Sequence, residues 1–501
     1  MSLKTTLKEQ WPEILSTQTG ILTLYLQWFS IDAEGIACAD IAMKWGSAHY
    51  QEAVNAFWSP LWSWLLIPFL RVLGHPHACI RLLQFVLLLI ALRCWRKWIT
   101  NLAHPENKFT PLLRMLGGIN LACYSQSVSG PDFLACIICL EFIRKLIFQN
   151  PSFIVLGFWL ALLFYTRTGL LLFGLAAYSG IHIYNVATKN ADDSRLKKTI
   201  KPLAALLLTA GLIFPWVQAL HNKYGQWMLS SEPKYTHTYK FAGGVEHSWK
   251  ECGLVAPPDG FSTFAWTDIT ESTNNFRQFI HQNNKSYTAI ISYNTLKTMR
   301  LLIINAGGGI IAAFMLWRLR KGLAEEVINR FYLSLALAAL YTGGIILFPV
   351  EEGSMWPLFM ILSGLIVCLP GTLLPIKNRF IYGIVLSLIL LANSAVNLLE
   401  RKGLPEHKLA KTTAGIIPKG AHIASFRTGQ TWALSFFNRY RDYGGIQHHA
   451  DSNLQLALDS LDIRYVIVPS ADLLQTKKRL EKIKLRQLPI AAGSWYVLKI
   501  N

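Results

Sequence analysis

Charge is what this chain has least of. Of its 501 residues only 15% are Asp, Glu, Lys or Arg, against about 25% in an average soluble domain. That is too little charge for a disordered chain and too little to coat a soluble enzyme of this length. Acids are the scarcer sign, 29 against 48 bases. Cysteine is thin as well, eight in all. Cys136 and Cys139 form a CxxC, but it lies inside the apolar run Phe133–Leu140 with no second pair nearby, so two small residues on one helix are expected and not a zinc site. A cleavable signal is also absent from the expectation. Lys4 and Lys8 give a basic start, but Gln18, Thr19 and Gln27 interrupt the apolar part and no small-residue cleavage site precedes Asp32. The first segment is expected to stay as a membrane helix with its polar groups turned to other helices. No internal repeat is visible, which counts against a transporter built from inverted halves.

What is present is apolar: 52% of residues are hydrophobic and the mean hydropathy is +0.31. The net charge of +19 would suit a nucleic-acid partner. Here, however, the basic residues come as short clusters between long apolar runs, the pattern of cytoplasmic loops in a multi-spanning membrane protein. No nucleic acid is expected as a partner.

A membrane helix needs about 20 apolar residues, with a usable range of about 17–25. Such runs fall near 11–30, 57–73, 78–96, 110–128, 132–149, 152–166, 168–187, 201–221, 296–317, 327–349, 354–371 and 378–398. The second is ambiguous, carrying Trp58, Trp62, Trp64, Pro60 and Pro68. Charge resolves it. If 57–73 lies in the interface without crossing, the clusters Arg93–Lys97, Arg144–Lys145, Arg195–Lys201, Arg318–Lys321 and Lys377–Arg379 all share one side with the N-terminus. The short connections on the other side then hold few bases, mainly Lys44, Arg71 and Arg167. The fold expected is an α-helical polytopic membrane protein of about eleven spans, with the Trp-rich segment as an interfacial helix. Three regions face outward: the first loop 31–77, the large loop 222–295, and the tail 399–501 that follows the membrane domain 1–398. The tail reads as a small α/β domain, with strands at His422–Phe426, Arg464–Val468 and Trp495–Ile500 and helices at Asn453–Leu461 and Ala471–Lys484.

Chemistry should sit where scarce acids gather. Asp32 and Glu34 follow the first span, Asp132 follows Gly130-Pro131, and Glu351 and Glu352 precede the Met355-Trp356-Pro357 start of a later span. Three separate outer loops thus offer carboxylates at one membrane depth, where a charge is costly unless solvated or used. In the large loop Tyr235-Thr236-His237-Thr238-Tyr239 alternates aromatic and polar groups, as an interfacial loop or a sugar-facing strand would.

The order of these features resembles the GT-C glycosyltransferases, membrane enzymes that use polyprenyl-phosphate-linked sugars. Asp32-Ala33-Glu34 opens a helix-like stretch to Gly46; Ser59-Pro60-Leu61-Trp62 leads the interfacial segment; Arg93-Cys94-Trp95-Arg96-Lys97 ends a span; Gly130-Pro131-Asp132-Phe133 starts another; and Tyr165-Thr166-Arg167-Thr168-Gly169 breaks a hairpin. The likeness spans about residues 10–220 and is nearest the branch of protein O-mannosyltransferases and lipid A aminoarabinose transferases. It implies a catalytic base in the first outer loop, here Asp32 with Glu34 beside it. It implies that Asp132 orients an acceptor or a metal, and that Arg167 meets the lipid phosphate. Glu351, Glu352, Tyr235 and His237 are further candidates for substrate binding. The adjacent Asp-Glu pair of many members is Asp-Ala-Glu here, and the acid-Lys-Pro found in some is replaced by Trp58-Ser59-Pro60. A divalent cation, Mg2+ or Mn2+, is left open.

The chemistry also stands without the likeness. Transfer from a phosphate-linked donor needs a base for the acceptor hydroxyl and fixed positive charge for the departing phosphate, for which the planar, always-charged guanidinium is suited. The function expected is an inverting glycosyltransferase working at the outer face of a bacterial inner membrane, with the N-terminus cytoplasmic and the tail outside. Its partners would be a polyprenyl-phosphate sugar donor and a glycan, lipid or protein acceptor. The alternatives are an oligosaccharide polymerase or ligase with a pyrophosphate-linked donor, a transporter or flippase, and a non-catalytic scaffold.

Overall fold

The computed structural model describes residues 3–103, 110–149, 151–188, 195–232, 253–265, 284–320, 325–347, 350, 352–368, 404–447, 453–481, 483–488 and 495–500. The chain forms two compact units. One holds Met1–Leu26, Arg81–Leu229 and Ile291–Glu400; the other holds Gln27–Ile80, Ser230–Ile290 and Arg401–Asn501.

The first unit is helical. Helix Leu3–Leu26 packs along Thr110–Ser127, and Phe153–Thr166 packs on Arg195–Tyr224. Small residues let these helices approach. A Cβ at Gly118 would overlap Ser16 Oγ, and one at Gly157 would press on the Ala205 carbonyl at 3.0 Å. Most polar groups of the first helix do turn inward: Ser16 and Thr23 are buried, and Thr23 Oγ1 donates to the Ala122 carbonyl (3.3 Å). Gln18 instead lies exposed, on the face away from that contact. Arg114 Nε donates to Glu13 Oε1 (2.9 Å) and fastens the same pair of helices. Helix Asn284–Leu319 breaks helical geometry at Ala306, at the start of the run Ala306-Gly307-Gly308-Gly309, where glycine removes the side-chain packing that keeps a helix straight.

Among the described residues, two helices are long and apolar enough to cross a membrane, Pro76–Leu102 and Ile200–Tyr224; the bent pair Thr288–Gly307 and Gly309–Arg318 would make a third. Phe153–Thr166 and Glu352–Cys368 are apolar but shorter. The segment 378–398 lies outside the described residues. Eleven spans therefore remain a proposal. Helix Pro60–Leu73 has 14 residues, about 21 Å of rise, well short of the roughly 30 Å hydrocarbon core.

The second unit joins Gln27–Ile80 and Ser230–Ile290 to the tail. Its sheet has five strands: β1 His422–Ser425, β2 Arg441–Gly445, β3 Tyr465–Pro469, β4 Leu485–Leu488 and β5 Trp495–Ile500, in the order β2-β1-β3-β5-β4. β1 runs parallel to β2 and β3, and β5 runs antiparallel to β3 and β4. Alternation along the strands serves two cores. Ala424, Val466, Val468 and Leu498 point to one, and Ile423, Ile467 and Val497 to the other. The three expected strands are there. β2 was not foreseen, because Arg441-Asp442-Tyr443-Gly444-Gly445 carries little strand propensity. Its glycines serve close approach: Gly444 has φ 96°, and a Cβ at Gly445 would overlap the Thr428 backbone. The outer edge of β2 is covered by residues 253–265: Val255 N–H donates to the Tyr443 carbonyl (2.8 Å) and Asp442 N–H to the Thr263 carbonyl (2.8 Å). An edge strand left bare would invite pairing with other chains.

Candidate active site

In the first unit, the turn before Asp132 is held from inside. Arg81, 1% exposed, donates from Nη1 to the Gln126 carbonyl (2.5 Å), and Gln84 Nε2 donates to the Val128 carbonyl (3.2 Å). That fixes where helix Asp132–Phe148 begins, with Asp132 on its first turn. A carboxylate there also suits the positive end of the helix dipole. Arg167 caps the end of helix Phe153–Thr166 in extended backbone geometry. Its Nη2 meets Asp132 Oδ1 at 2.6 Å, with the Asp132 side chain 8% and the Arg167 side chain 25% exposed.

The third side is the start of helix Glu352–Gly364. Tyr124 donates its hydroxyl to the Gly353 carbonyl (2.8 Å) and stacks on Trp356, with centroids 4.1 Å apart. Tyr341 donates to the Ser354 carbonyl (2.8 Å). A Cβ at Gly353 would overlap Asp132 Oδ2, so the backbone lies directly against the carboxylate. The first unit thus brings Asp132, Arg167 and the 352–354 turn together. Glu352 itself is exposed. Glu351, Tyr235 and His237 lie outside the described residues.

Gly353→Ala is a sharp test of this packing. The carboxylate cannot swing freely while Arg167 holds it, so the added methyl must push the pair apart. Overpacking of this kind costs about 1–3 kcal/mol. The variant should fold and melt a few degrees lower; an unchanged melting temperature would mean that Asp132 has room to move.

Asp32 and Glu34 belong to the second unit. Asp32 is exposed and caps helix Ala33–Gly46, its Oδ1 accepting the Gly35 N–H at 2.7 Å. Glu34, half-buried, sits in the first turn. Further along the same helix lie two charged residues that sequence reasoning passed over as site candidates. Asp40 is fully buried and accepts the Thr263 N–H (2.6 Å) and hydroxyl (3.0 Å). Lys44, also buried, pairs with Asp259 (2.5 Å) and donates to Ser262 Oγ (2.9 Å). These bonds tie residues 259–263 onto the helix that Asp32 begins. Ser63 Oγ, on helix Pro60–Leu73, donates to the Cys38 carbonyl (3.0 Å) and ties in the Trp-rich segment.

Burial pushes the Asp40 carboxyl up to about 6 against the bonds from Thr263. Burial does the same to Asp442, also to about 6, against hydrogen bonds from Thr431, Gly444 and Ser435. A carboxyl raised this way favours the fold in its neutral form. Its stabilisation is full below about pH 4, is lost as pH rises toward 6, and is absent above. Asp442→Asn keeps the acceptor for Gly444 and offers an amide to the two hydroxyls. It should melt higher than wild type at pH 7.5 and no higher at pH 4.5, as read by thermal melts across that range.

No family model matches the chain, and no curated protein matches it in sequence. Solved structures do match. One is ArnT from Cupriavidus metallidurans bound to undecaprenyl phosphate: 10% identity, 98% of each chain covered, TM-score 0.58. Another is the archaeal oligosaccharyltransferase AglB from Archaeoglobus fulgidus, in complex with an inhibitory peptide and a dolichol-phosphate: 7% identity, 98% of this chain and 74% of that one, TM-score 0.52. The chain shares the fold of these two structures, which are GT-C superfamily members. The likeness extends over the sheet-bearing tail as well as the first 220 residues, further than the sequence resemblance reached. The GT-C resemblance allowed Asp132 a metal. Here its oxygens lie against the Arg167 guanidinium and the Gly353 backbone, an environment that does not fit a divalent ion.

Proposed function

We propose that this protein is a membrane glycosyltransferase that moves a sugar from a polyprenyl-phosphate carrier to an acceptor at the outer face of the membrane. The observation that carries the reading is the Asp132–Arg167 pair, set at a helix start within a GT-C fold. Asp32 accepts the proton of the acceptor hydroxyl. The hydroxyl oxygen attacks the anomeric carbon from the side opposite the phosphate. The bond from that carbon to the phosphate oxygen breaks with inversion, and polyprenyl phosphate departs. Arg167 offsets the charge that gathers on the leaving oxygen, and Asp132 holds the guanidinium in place. The neighbour's bound undecaprenyl phosphate supports a lipid carrier of this chemistry. Glu34 assists at the base, and Glu351, Glu352, Tyr235 and His237 are further candidates for substrate binding.

In this reading the protein has eleven spans, with helix Pro60–Leu73 in the interface, the N-terminus inside and the tail outside. The charge bias of the loops supports that orientation. The test is to incubate purified protein in nanodiscs with a panel of polyprenyl-phosphate sugars and a crude envelope acceptor, with Mg2+, Mn2+ or EDTA, and to follow the lipid product by mass spectrometry. Release of polyprenyl phosphate from one donor is expected. Release of polyprenyl pyrophosphate from a pyrophosphate-linked donor alone would move the assignment to a polymerase or ligase, and no turnover of any donor would remove the transferase reading.

A further inference from the structure

The sheet of the second unit ends in two unlike edges. The β2 edge is covered by residues 253–265 of the same chain. The other edge is β4, and among the described residues no strand lies beyond it. An edge strand offers N–H and C=O groups to any extended chain that reaches it.

Charge gathers at this edge. Residues 477–486 hold six bases, Lys477, Lys478, Arg479, Lys482, Lys484 and Arg486, against one acid, Glu481. Lys477, Lys478, Lys484 and Arg486 are exposed, and among the described residues none of these four forms an ion pair. Arg486 also stands in register with Lys499 of β5. Like charges directly opposite on neighbouring strands destabilise a sheet. Guarding an edge against stray pairing calls for charge on the edge strand itself. It does not call for a second base across the ladder.

The bases stand on both faces of the sheet. Arg486 and Lys499 are register partners and so share one face, the face whose core holds Val497 and Leu488. Gln487, the next residue, turns to the other face. Lys477 reaches its Oε1 at 3.1 Å from helix Leu473–Arg479. A flat anionic surface would meet one of these faces. A strand laid beside β4 meets both, because its side chains alternate.

From this geometry we propose that the β4 edge takes up an extended acidic segment of a partner protein. The segment continues the sheet past β4, with acids toward Lys477 on one face and toward Arg486 and Lys499 on the other. Main-chain hydrogen bonds to β4 hold it, and charge selects it over other extended chains. The inference stands apart from the transferase reading, because it concerns the sheet of the tail alone.

The experiment uses the full chain in phosphatidylcholine nanodiscs and reads binding by fluorescence anisotropy. The probe is a short, capped, labelled peptide of glutamate pairs separated by single valines, which places acids on both faces of a strand. It should bind, and bind more weakly as salt screens the charges. The same peptide with serine for glutamate should bind at least tenfold more weakly. Two further versions carry N-methyl groups on alternate residues, one in each phase. The phase that blocks the amides facing β4 should also lose at least tenfold. Arg486→Glu and Lys477→Glu should each weaken binding at least tenfold. Arg486→Glu sets an acid opposite Lys499, so it should melt no lower than wild type, which separates lost binding from lost folding. Lys419→Glu is exposed, on the turn whose Gly420 N–H meets the Arg439 carbonyl beside β2, and should bind as wild type does. Equal binding by both N-methylated phases would overturn strand pairing. No binding of the glutamate peptide would overturn the proposal; flotation of wild type but not Arg486→Glu with phosphatidylglycerol vesicles would then assign the bases to a lipid surface.

Discussion

Asp32→Asn should lower the rate of sugar transfer by about 10²–10⁴-fold, the contribution of a general base, while leaving the melting temperature where it was. The second half of that expectation comes from the cap. Asp32 Oδ1 receives the Gly35 N–H at the start of helix Ala33–Gly46, and asparagine caps a helix about as well as aspartate. The substitution therefore removes the negative charge and the proton acceptor and little else. Asp32→Ala removes the cap too and should cost about 1 kcal/mol in addition. The pair of variants separates two roles that one position fills. If Asp32→Asn, at normal expression, transfers sugar at the wild-type rate, Asp32 is a cap and the base is elsewhere. Glu34→Gln should show a smaller loss, because Glu34 only assists. Donor affinity, measured as KM for the lipid carrier, should move little in any of the three, since the base acts on the acceptor.

How much of this could be read from the chain varies by element, for physical reasons. The long helices were legible because apolar runs of that length have few other fates, and the cluster bias set Pro60–Leu73 apart before its 14 residues were measured. Strands β3 and β5 were legible because each is a β-branched or aromatic stretch, and β1 because Ile423 and Phe426 stand in a short run between turn residues. β2 was not. Its strand character comes from partners far away in sequence, β1 and the 253–265 segment, and its glycines are there for Thr428. The short helices Leu404–Thr413 and Trp432–Asn438 were missed for a related reason, since two or three turns carry too little periodicity to read. For the site, Asp132 and Arg167 could be named separately, since each is a lone charge beside an apolar run. That they meet is tertiary information. Arg81 had a signal that was overlooked: an arginine near the start of the run 78–96, apart from the Arg93–Lys97 cluster at its end, which is rarely left without a task. Gly353 had none, because a glycine needed for one close contact looks like any other. Asp40 and Lys44 looked like ordinary polar positions of a loop helix until Thr263 and Asp259 were placed against them.

The Asp132–Arg167 pair yields the other large effect, and its logic lies in the double variant. Arg167→Gln strips the guanidinium from a carboxylate that is 8% exposed. Breaking a buried pair from one side costs about 3–5 kcal/mol. With the Arg167 side chain a quarter open, screening should bring the figure to about 2–3 kcal/mol. The single variant should melt several degrees lower and lose transfer by at least a hundredfold, with a raised KM for the lipid donor. Asp132→Asn should also lose transfer, with a smaller fall in melting temperature, because the arginine it leaves can turn toward solvent. Combining the two removes both charges and leaves two amides that can bond each other, so melting should return most of the way to wild type. Transfer should not return, because nothing then offsets the charge on the departing phosphate. A double variant that regained transfer along with its stability would make the pair a structural clamp, and the positive charge for the leaving group would have to come from elsewhere. Arg167→Lys gives an independent check: it keeps the charge but lacks the fork, so it should hold the melting temperature within a few degrees and still show a weaker donor KM.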